Sequence, residues 1–192
     1  MLGRAVIAAL VLGVLLAGCG GATSAKVAYR STTTTAGPTT TTEPVTTTTT
    51  TPGPAKLGTA WSMTDPAGDF DLNVEVDEVI DPAAPDNTLD AAQEGERLVG
   101  VEMSVQNQSS TPFTDDMDSD ATVIGSDSQT YTAVANGLSG CTNFDYGDVD
   151  LVKGATASGC VAFSLPVGVT AAQVDFKPGA DFGGAPVEWN AG

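Results

Sequence analysis

RLVGVEMSVQN (residues 97–107) decides the fold. Val99, Val101, Met103 and Val105 point one way, and Leu98, Gly100, Glu102, Ser104 and Gln106 point the other. This period-two alternation is that of a strand with one face in a core. LNVEV (72–76) repeats it, with Leu72, Val74 and Val76 opposite Asn73 and Glu75. Working outward, TAWSM (59–63), ATVIG (121–125), TYTAVA (130–135), CVAFSL (160–165), AAQVDF (171–176) and PVEW (186–189) read as further strands. Gly, Pro, Asp and Asn clusters separate them. About eight strands in one domain predict an all-β architecture of two packed antiparallel sheets, a β-sandwich. Trp61, Phe163, Phe176 and Trp189 are its candidate large core or rim residues. No segment predicts a long amphipathic helix, although Leu89–Glu96 is compatible with one helical turn.

The domain does not begin at the N-terminus. Behind Arg4 runs AVIAALVLGVLLA (5–17), an apolar stretch of the length of a secretory signal core and too short for a spanning helix. Leu16-Ala17-Gly18-Cys19 then resembles the lipobox of bacterial lipoproteins, in which a diacylglycerol thioether forms on the cysteine and a peptidase cuts before it. The resemblance implies a signal peptide over 1–18 and a lipid on Cys19. The competing reading is an ordinary signal peptide with a chance cysteine. Acyl chains worth ~0.8 kcal/mol per buried CH₂ would anchor the chain without a spanning helix.

Residues 19–56 then form a lipidated N-terminus and linker. Between Thr32 and Thr51, 14 of 20 positions are threonine, interrupted by Ala-Gly-Pro and Glu-Pro-Val. Such a segment has too little apolar surface to offset the entropy of ordering, and predicts a disordered, O-glycosylation-prone stalk. Extended, it would reach on the order of 110 Å at about 3.1 Å per residue. The folded domain is expected over 57–192.

Charge narrows the partners. The chain holds 24 acidic and 7 basic residues, a net charge of −17, and no histidine. Nucleic acid is excluded as a partner, because its affinity rests on Lys and Arg neutralising phosphates. Without histidine there is no Ser-His-Asp triad, no HExxH zinc site and no facial-triad iron site. No GxSxG, P-loop or GxGxxG motif is present, so neither cofactor nor catalytic residue is expected, and the chain does not read as an enzyme.

Several segments together look like a known family. They are Val79-Ile80-Asp81-Pro82, Gly95 to Val101 running into Val105-Gln106-Asn107, Ser128-Gln129-Thr130-Tyr131, and Leu151-Val152-Lys153-Gly154 leading to Gly159 through Pro166. They resemble the telokin-like domain of unknown function of bacterial lipoproteins, over roughly residues 57 to 190. The resemblance implies an immunoglobulin-like β-sandwich related to a small secreted mycobacterial antigen, behind a lipobox and a low-complexity linker. It brings no catalytic residues, because its motifs are strand and turn signals.

Two cysteines remain in the domain. Cys141 and Cys160, in an exported chain, are expected to form a disulfide. Since Cys160 alternates with Val161, Phe163 and Leu165, the bridge is expected on a sheet edge or outer face, pinning residues 143–150. The densest carboxylates lie in TDDMDSD (114–120). Asp116, Asp118 and Asp120 have the D-x-D-x-D spacing that opens an EF-hand loop, with Asp127 at its twelfth position. Ala121 replaces the turn glycine of that loop, so these aspartates are only a weak Ca²⁺ candidate against solvated loop carboxylates. The resulting expectation is a lipid-anchored protein on the extracytoplasmic face of the cell membrane, binding an unknown protein or envelope component. The alternative is a small-molecule or cation-binding lipoprotein, such as a transporter accessory.

Overall fold

The structure is a computed structural model that describes residues 53–192 apart from 145, 180 and 181. The signal segment, Cys19 and the threonine-rich run lie outside the described residues. In chain order the elements are β1 (Ala55–Lys56), β2 (Trp61–Thr64), β3 (Asp71–Pro85), β4 (Glu96–Asn107), β5 (Phe113–Asp116), α1 (Met117–Asp120), β6 (Ala121–Gly125), β7 (Thr130–Thr132), β8 (Leu138–Ser139), β9 (Asp148–Leu151), β10 (Thr156–Pro166), β11 (Ala171–Phe176) and β12 (Val187–Asn190). None of the described helices is long and apolar enough to cross a membrane.

The alternation in β4 does what its pattern requires. Paired antiparallel with β10, it sets Val101 opposite Val161 and Val99 opposite Phe163, so that both strands turn their apolar residues to one side. One sheet runs β10-β4-β3-β2 and the other β1-β12-β11-β6-β7, with β5 and β9 forming a separate two-stranded ladder. Among the described strands β1 alone pairs in parallel, against β12, and an isolated parallel bridge joins Asn143 to Cys160. Between the sheets Val99, Val101, Met103, Val105, Val123, Phe163, Val174, Phe176 and Trp189 are all fully buried in one core. The indole N–H of Trp189 donates to the Thr59 carbonyl at 2.8 Å, which satisfies its polar atom. Trp61 is only partly buried, at the edge of the same core.

A bulge in β3 changes its facing. Leu72, Val74 and Val76 fill the main core, the register against β4 then shifts between Val76 and Glu78, and Val79 rather than an even-numbered residue packs inward. The outer face of the same sheet carries a second, smaller core of Ala83, Leu98, Leu138, Cys160 and Ala162. Leu98 and Cys160 thus face away from the main core, as their alternation predicts, yet they are 2% and 0% exposed. The cover is the segment around β8, which pairs with the end of β3. A disulfide between Cys141 and Cys160, with Cα atoms 6.0 Å apart, fastens this cover to β10. Gly100 lies beneath it, and a Cβ there would come within 2.8 Å of a Leu138 methyl, so the close approach needs the missing side chain.

Other elements depart from the sequence reading. Residues 89–96 hold turns and no helix. The helical turn falls instead within the aspartate-rich stretch, because the Asp116 side chain caps α1 by accepting from the N–H groups of Asp118 and Ser119. The ladder expected over 130–135 stops at Thr132. Ordered pairing starts at Ala55, two residues ahead of the expected domain start. Strands β5, β8 and β9 had no expected counterpart.

Candidate functional site

The carboxylates expected as a cation loop sit where β5 passes through α1 into β6. Asp116 turns back onto its own chain, its Oδ1 accepting from Asp118 N at 2.9 Å and Ser119 N at 3.4 Å. Gly147 packs against it with a φ of 85°, and a Cβ at that position would collide with the Asp116 carboxylate. Asp118 lines a cleft of about 390 Å³ with Asn136, Phe144 and Tyr146. Burial, and then the charge of Asp116, hold the Asp118 carboxyl above the usual carboxylate range. Asp120 lines a different cleft. Asp127, at the twelfth position, accepts from Gln129 N at 3.1 Å and from the Tyr131 hydroxyl at 2.8 Å, closing the β6–β7 turn. The Gln129 N–H is the main cause that draws the Asp127 carboxyl below its ordinary range. Helical geometry in α1 thus sends Asp116, Asp118 and Asp120 to different surroundings. Among the described residues no group of three or more carboxylates or cysteines is arranged to hold a metal ion.

The more closely built place is the cleft of about 460 Å³ that Asp120 lines together with Asp115, Thr122, Asp175, Lys177 and Pro186. Three elements converge to make it. The end of β5 supplies Asp115, α1 supplies Asp120, and the outward face of β11 supplies Asp175, which is paired with Thr122 of β6. The chain leaving β11 closes one side: Lys177 N donates to the Asp120 carbonyl at 3.0 Å, and Gly179 N donates to Asp120 Oδ1 at 2.9 Å.

Asp120 is 7% exposed, with Oδ1 accepting from Gly179 N and its carboxyl hydrogen-bonded to that of Asp115. Burial first, and then the charge of Asp115, push its carboxyl up to about 8, against the Gly179 N–H, which favours the ionised form. At neutral pH Asp120 therefore retains a proton beside the Asp115 carboxylate. Arg97 with Asp81, at 2.7 Å, is the one ion pair among the described residues, so Lys177 neutralises none of these carboxylates through a direct pair.

A second cleft, of about 340 Å³, adjoins the first and shares Asp115 and Gly179 with it. Phe70, Phe113 and Phe182 line it, with the Phe70 ring centroid 5.5 Å from each of the other two. Asp65 stands at its rim, with Oδ2 accepting from Ala67 N at 3.1 Å. The two clefts together offer carboxylates beside aromatic faces, a chemistry suited to holding a positively charged group with an apolar stem.

Of the aspartates singled out by spacing, only Asp120 belongs to this place. Sequence reasoning missed Asp115, Asp175 and Lys177. The available signal was DFKPG (175–179), where alternating charged residues end a strand at a Pro-Gly turn, and a turn of that kind brings a strand end against its neighbours.

The comparisons with known proteins agree with the fold. A family model described as a domain of unknown function, DUF4352, matches residues 62–187. No curated protein matches the chain by sequence. Among solved structures the chain is similar to the secreted protein MPT63 of Mycobacterium tuberculosis, at 17% identity and a TM-score of 0.52, covering 73% of this chain and 98% of that one. It also matches ycdA of Bacillus subtilis, described as a candidate lipoprotein, at 15% identity and a TM-score of 0.46, over 67% of this chain and 37% of that one. A β-sandwich protein of Clostridium difficile matches at 9% identity and a TM-score of 0.41, over 72% and 95%.

Proposed function

The chain belongs to the family of the domain of unknown function DUF4352, and from that premise we propose that it is a lipid-anchored, extracytoplasmic binding module without catalytic activity. The observation that carries this reading is the order of parts along the chain: an apolar signal ending in Leu-Ala-Gly-Cys19, a threonine-rich tether, then a β-sandwich. Cys19 would carry the lipid, the tether would serve as an O-glycosylated stalk, and the telokin-like, immunoglobulin-like domain would meet a protein or envelope component at its tip.

Replacing Cys19 by Ala tests the anchor. The protein is expected to move from the membrane fraction to the soluble fraction, and retention in the membrane would overturn the lipid reading. Cross-linking the full chain in intact cells, followed by mass spectrometry, tests the module. A partner enriched over a second lipoprotein of similar abundance supports it, and recovery of bulk envelope proteins alone counts against it.

A second reading, a receptor for a small ligand or cation, is favoured by one observation: the acidic cleft beside the aromatic one. A melting shift on adding millimolar Ca²⁺ that disappears in a variant with Asn at 115, 120 and 175, the carboxylates of that cleft, would support the metal form of that reading. An unchanged melting point would remove it.

A further inference from the structure

We propose that Cys141 is a thiol-exchange site, at which a small thiol without negative charge opens the Cys141–Cys160 bond and releases residues 133–144 while the sandwich stands. This chemistry is independent of whether the domain binds a partner.

The two sulfurs are placed unequally. Cys160, on the outer face of β10, is fully buried. Cys141 is partly exposed and lines an open cleft of about 410 Å³ with Asp86, Gly140 and Thr142. A thiolate must reach the sulfur it attacks, so access decides which mixed disulfide forms. The incoming thiolate bonds to Cys141 Sγ, the bond between the two protein sulfurs breaks, and Cys160 leaves as a thiolate that takes a proton from water. A second thiol then attacks the mixed disulfide and frees Cys141. Two external thiols are thereby oxidised to one disulfide, and the protein's cystine is reduced to two thiols.

What the bond holds is a unit with its own fastening. Asn143 accepts at Oδ1 from Leu138 N at 3.1 Å and donates from Nδ2 to the Asn136 carbonyl at 3.2 Å, which closes the loop on itself. Backbone bridges join the loop to β10 at its two ends, Ala133 with Phe163 and Asn143 with Cys160. Beneath it lies the small core of Leu98, Leu138 and Cys160, separate from the core between the sheets. Opening the loop gives up the small core and leaves the large one packed, which is the condition for a local opening.

The kind of thiol follows from charge. Among the described residues Asp86 is the one charged group that lines the cleft. Asp90 stands behind it, with a carboxylate oxygen 3.0 Å from where a Cβ on Gly137 would lie. An anionic thiol is repelled by both carboxylates, and a neutral or cationic one is not.

The probes are cysteamine, whose amine is cationic, and glutathione, which is anionic, each added to the folded full chain in detergent. Acid stops the exchange, and N-ethylmaleimide then caps free thiols before tryptic digestion. Lys153 lies between the two cysteines, so each ends on its own peptide. The added thiol is expected on the Cys141 peptide and the maleimide on the Cys160 peptide, in about tenfold excess over the reverse arrangement. Rates are normalised to the same thiols acting on an unstructured cystine peptide. Cysteamine is then expected to react about fivefold faster than glutathione, and Asp86→Asn to cut that ratio to about twofold. Asp86 is exposed, and near-UV circular dichroism checks that the variant keeps the fold. Hydrogen exchange of the reduced chain is expected to rise in 133–144 and to stay unchanged in β11.

Mixed disulfides on Cys160, or on both cysteines equally, would overturn the proposal. So would a bond that yields to neither thiol short of denaturant, or reduction that speeds exchange in β11 as much as in 133–144. A wild-type ratio of one, or a ratio that Asp86→Asn leaves unchanged, would refute the selection by charge.

Discussion

Asn107 shows how much a single polar side chain can hold. Completely buried at the end of β4, it donates from Nδ2 to the carbonyls of Thr111 and Leu151, each at 2.8 Å, and accepts from Ser109 N at 2.9 Å. It thereby ties the 108–111 turn to the end of β9. Replacing it by Ala leaves those carbonyls without their donor, and is expected to cost about 2–3 kcal/mol in urea unfolding. Asp at the same position would cost as much, since a carboxylate cannot donate. Asp120 gives a pH prediction. Its carboxyl holds a proton in the fold up to about pH 8, but in the unfolded chain loses it near a pKa of about 3.9. Between those values the native state binds the extra proton, so its contribution to stability is full below the lower value and is lost as pH rises through the upper one. Asp120→Asn is therefore expected to be more stable than the wild type at pH 8 and to have a flatter pH profile between 4 and 8, read from denaturation midpoints. None of this was visible in the D-x-D-x-D spacing. Spacing reports chain separation, and the surroundings of Asp120 depend on Asp115, Asp175 and Gly179, which the fold gathers from 5 to 59 residues away.

At the scale of elements, the sequence was legible wherever alternation alone set the strand. The bounds of β6 and β11 coincide with ATVIG and AAQVDF, because each is a central strand with one face fully in the core. Legibility failed where pairing, not pattern, makes the strand. β5 and β9 are four residues each, rich in aspartate, and extend only because they bond to one another across more than thirty residues. The turn α1 depends in the same way on its cap. Asp116→Ala removes the acceptor for Asp118 N and Ser119 N and is expected to cost about 1 kcal/mol. That loss should appear as faster hydrogen exchange confined to α1 and the β5–β9 ladder. The disulfide acts on a larger element. Closing a loop of 19 residues, it should stabilise by about 3 kcal/mol in the chain-entropy picture. A Cys141→Ala/Cys160→Ala variant is expected to lose about that much in urea unfolding.

For the molecule as a whole, the excess of carboxylates works against compactness. With a net charge of −17, self-repulsion is expected to make the melting temperature rise between low and physiological salt, as screening shortens to about 8 Å. A melting point that falls with added salt would show that specific ion pairs, not repulsion, dominate. The sandwich itself could be read from Val99, Val101, Met103 and Val105. What covers its outer face could not, since the cover is a loop whose place is set by Leu138 filling the space above Gly100 and by a covalent bond. That cover has a consequence for how the molecule behaves among its own copies. β10 is an edge strand of eleven residues, TASGCVAFSLP, and long apolar edges are templates for strand addition. The disulfide-bound segment occupies that edge, with Val134 N donating to the Ala162 carbonyl and Cys160 N donating to the Thr142 carbonyl. Reduction would uncover the backbone of β10 while the rest of the sandwich stood, and light scattering should then show aggregates growing under reducing conditions before the main core unfolds. Wherever copies of the chain crowd together, the Cys141–Cys160 bond would serve as much to keep neighbouring molecules apart as to hold one molecule together.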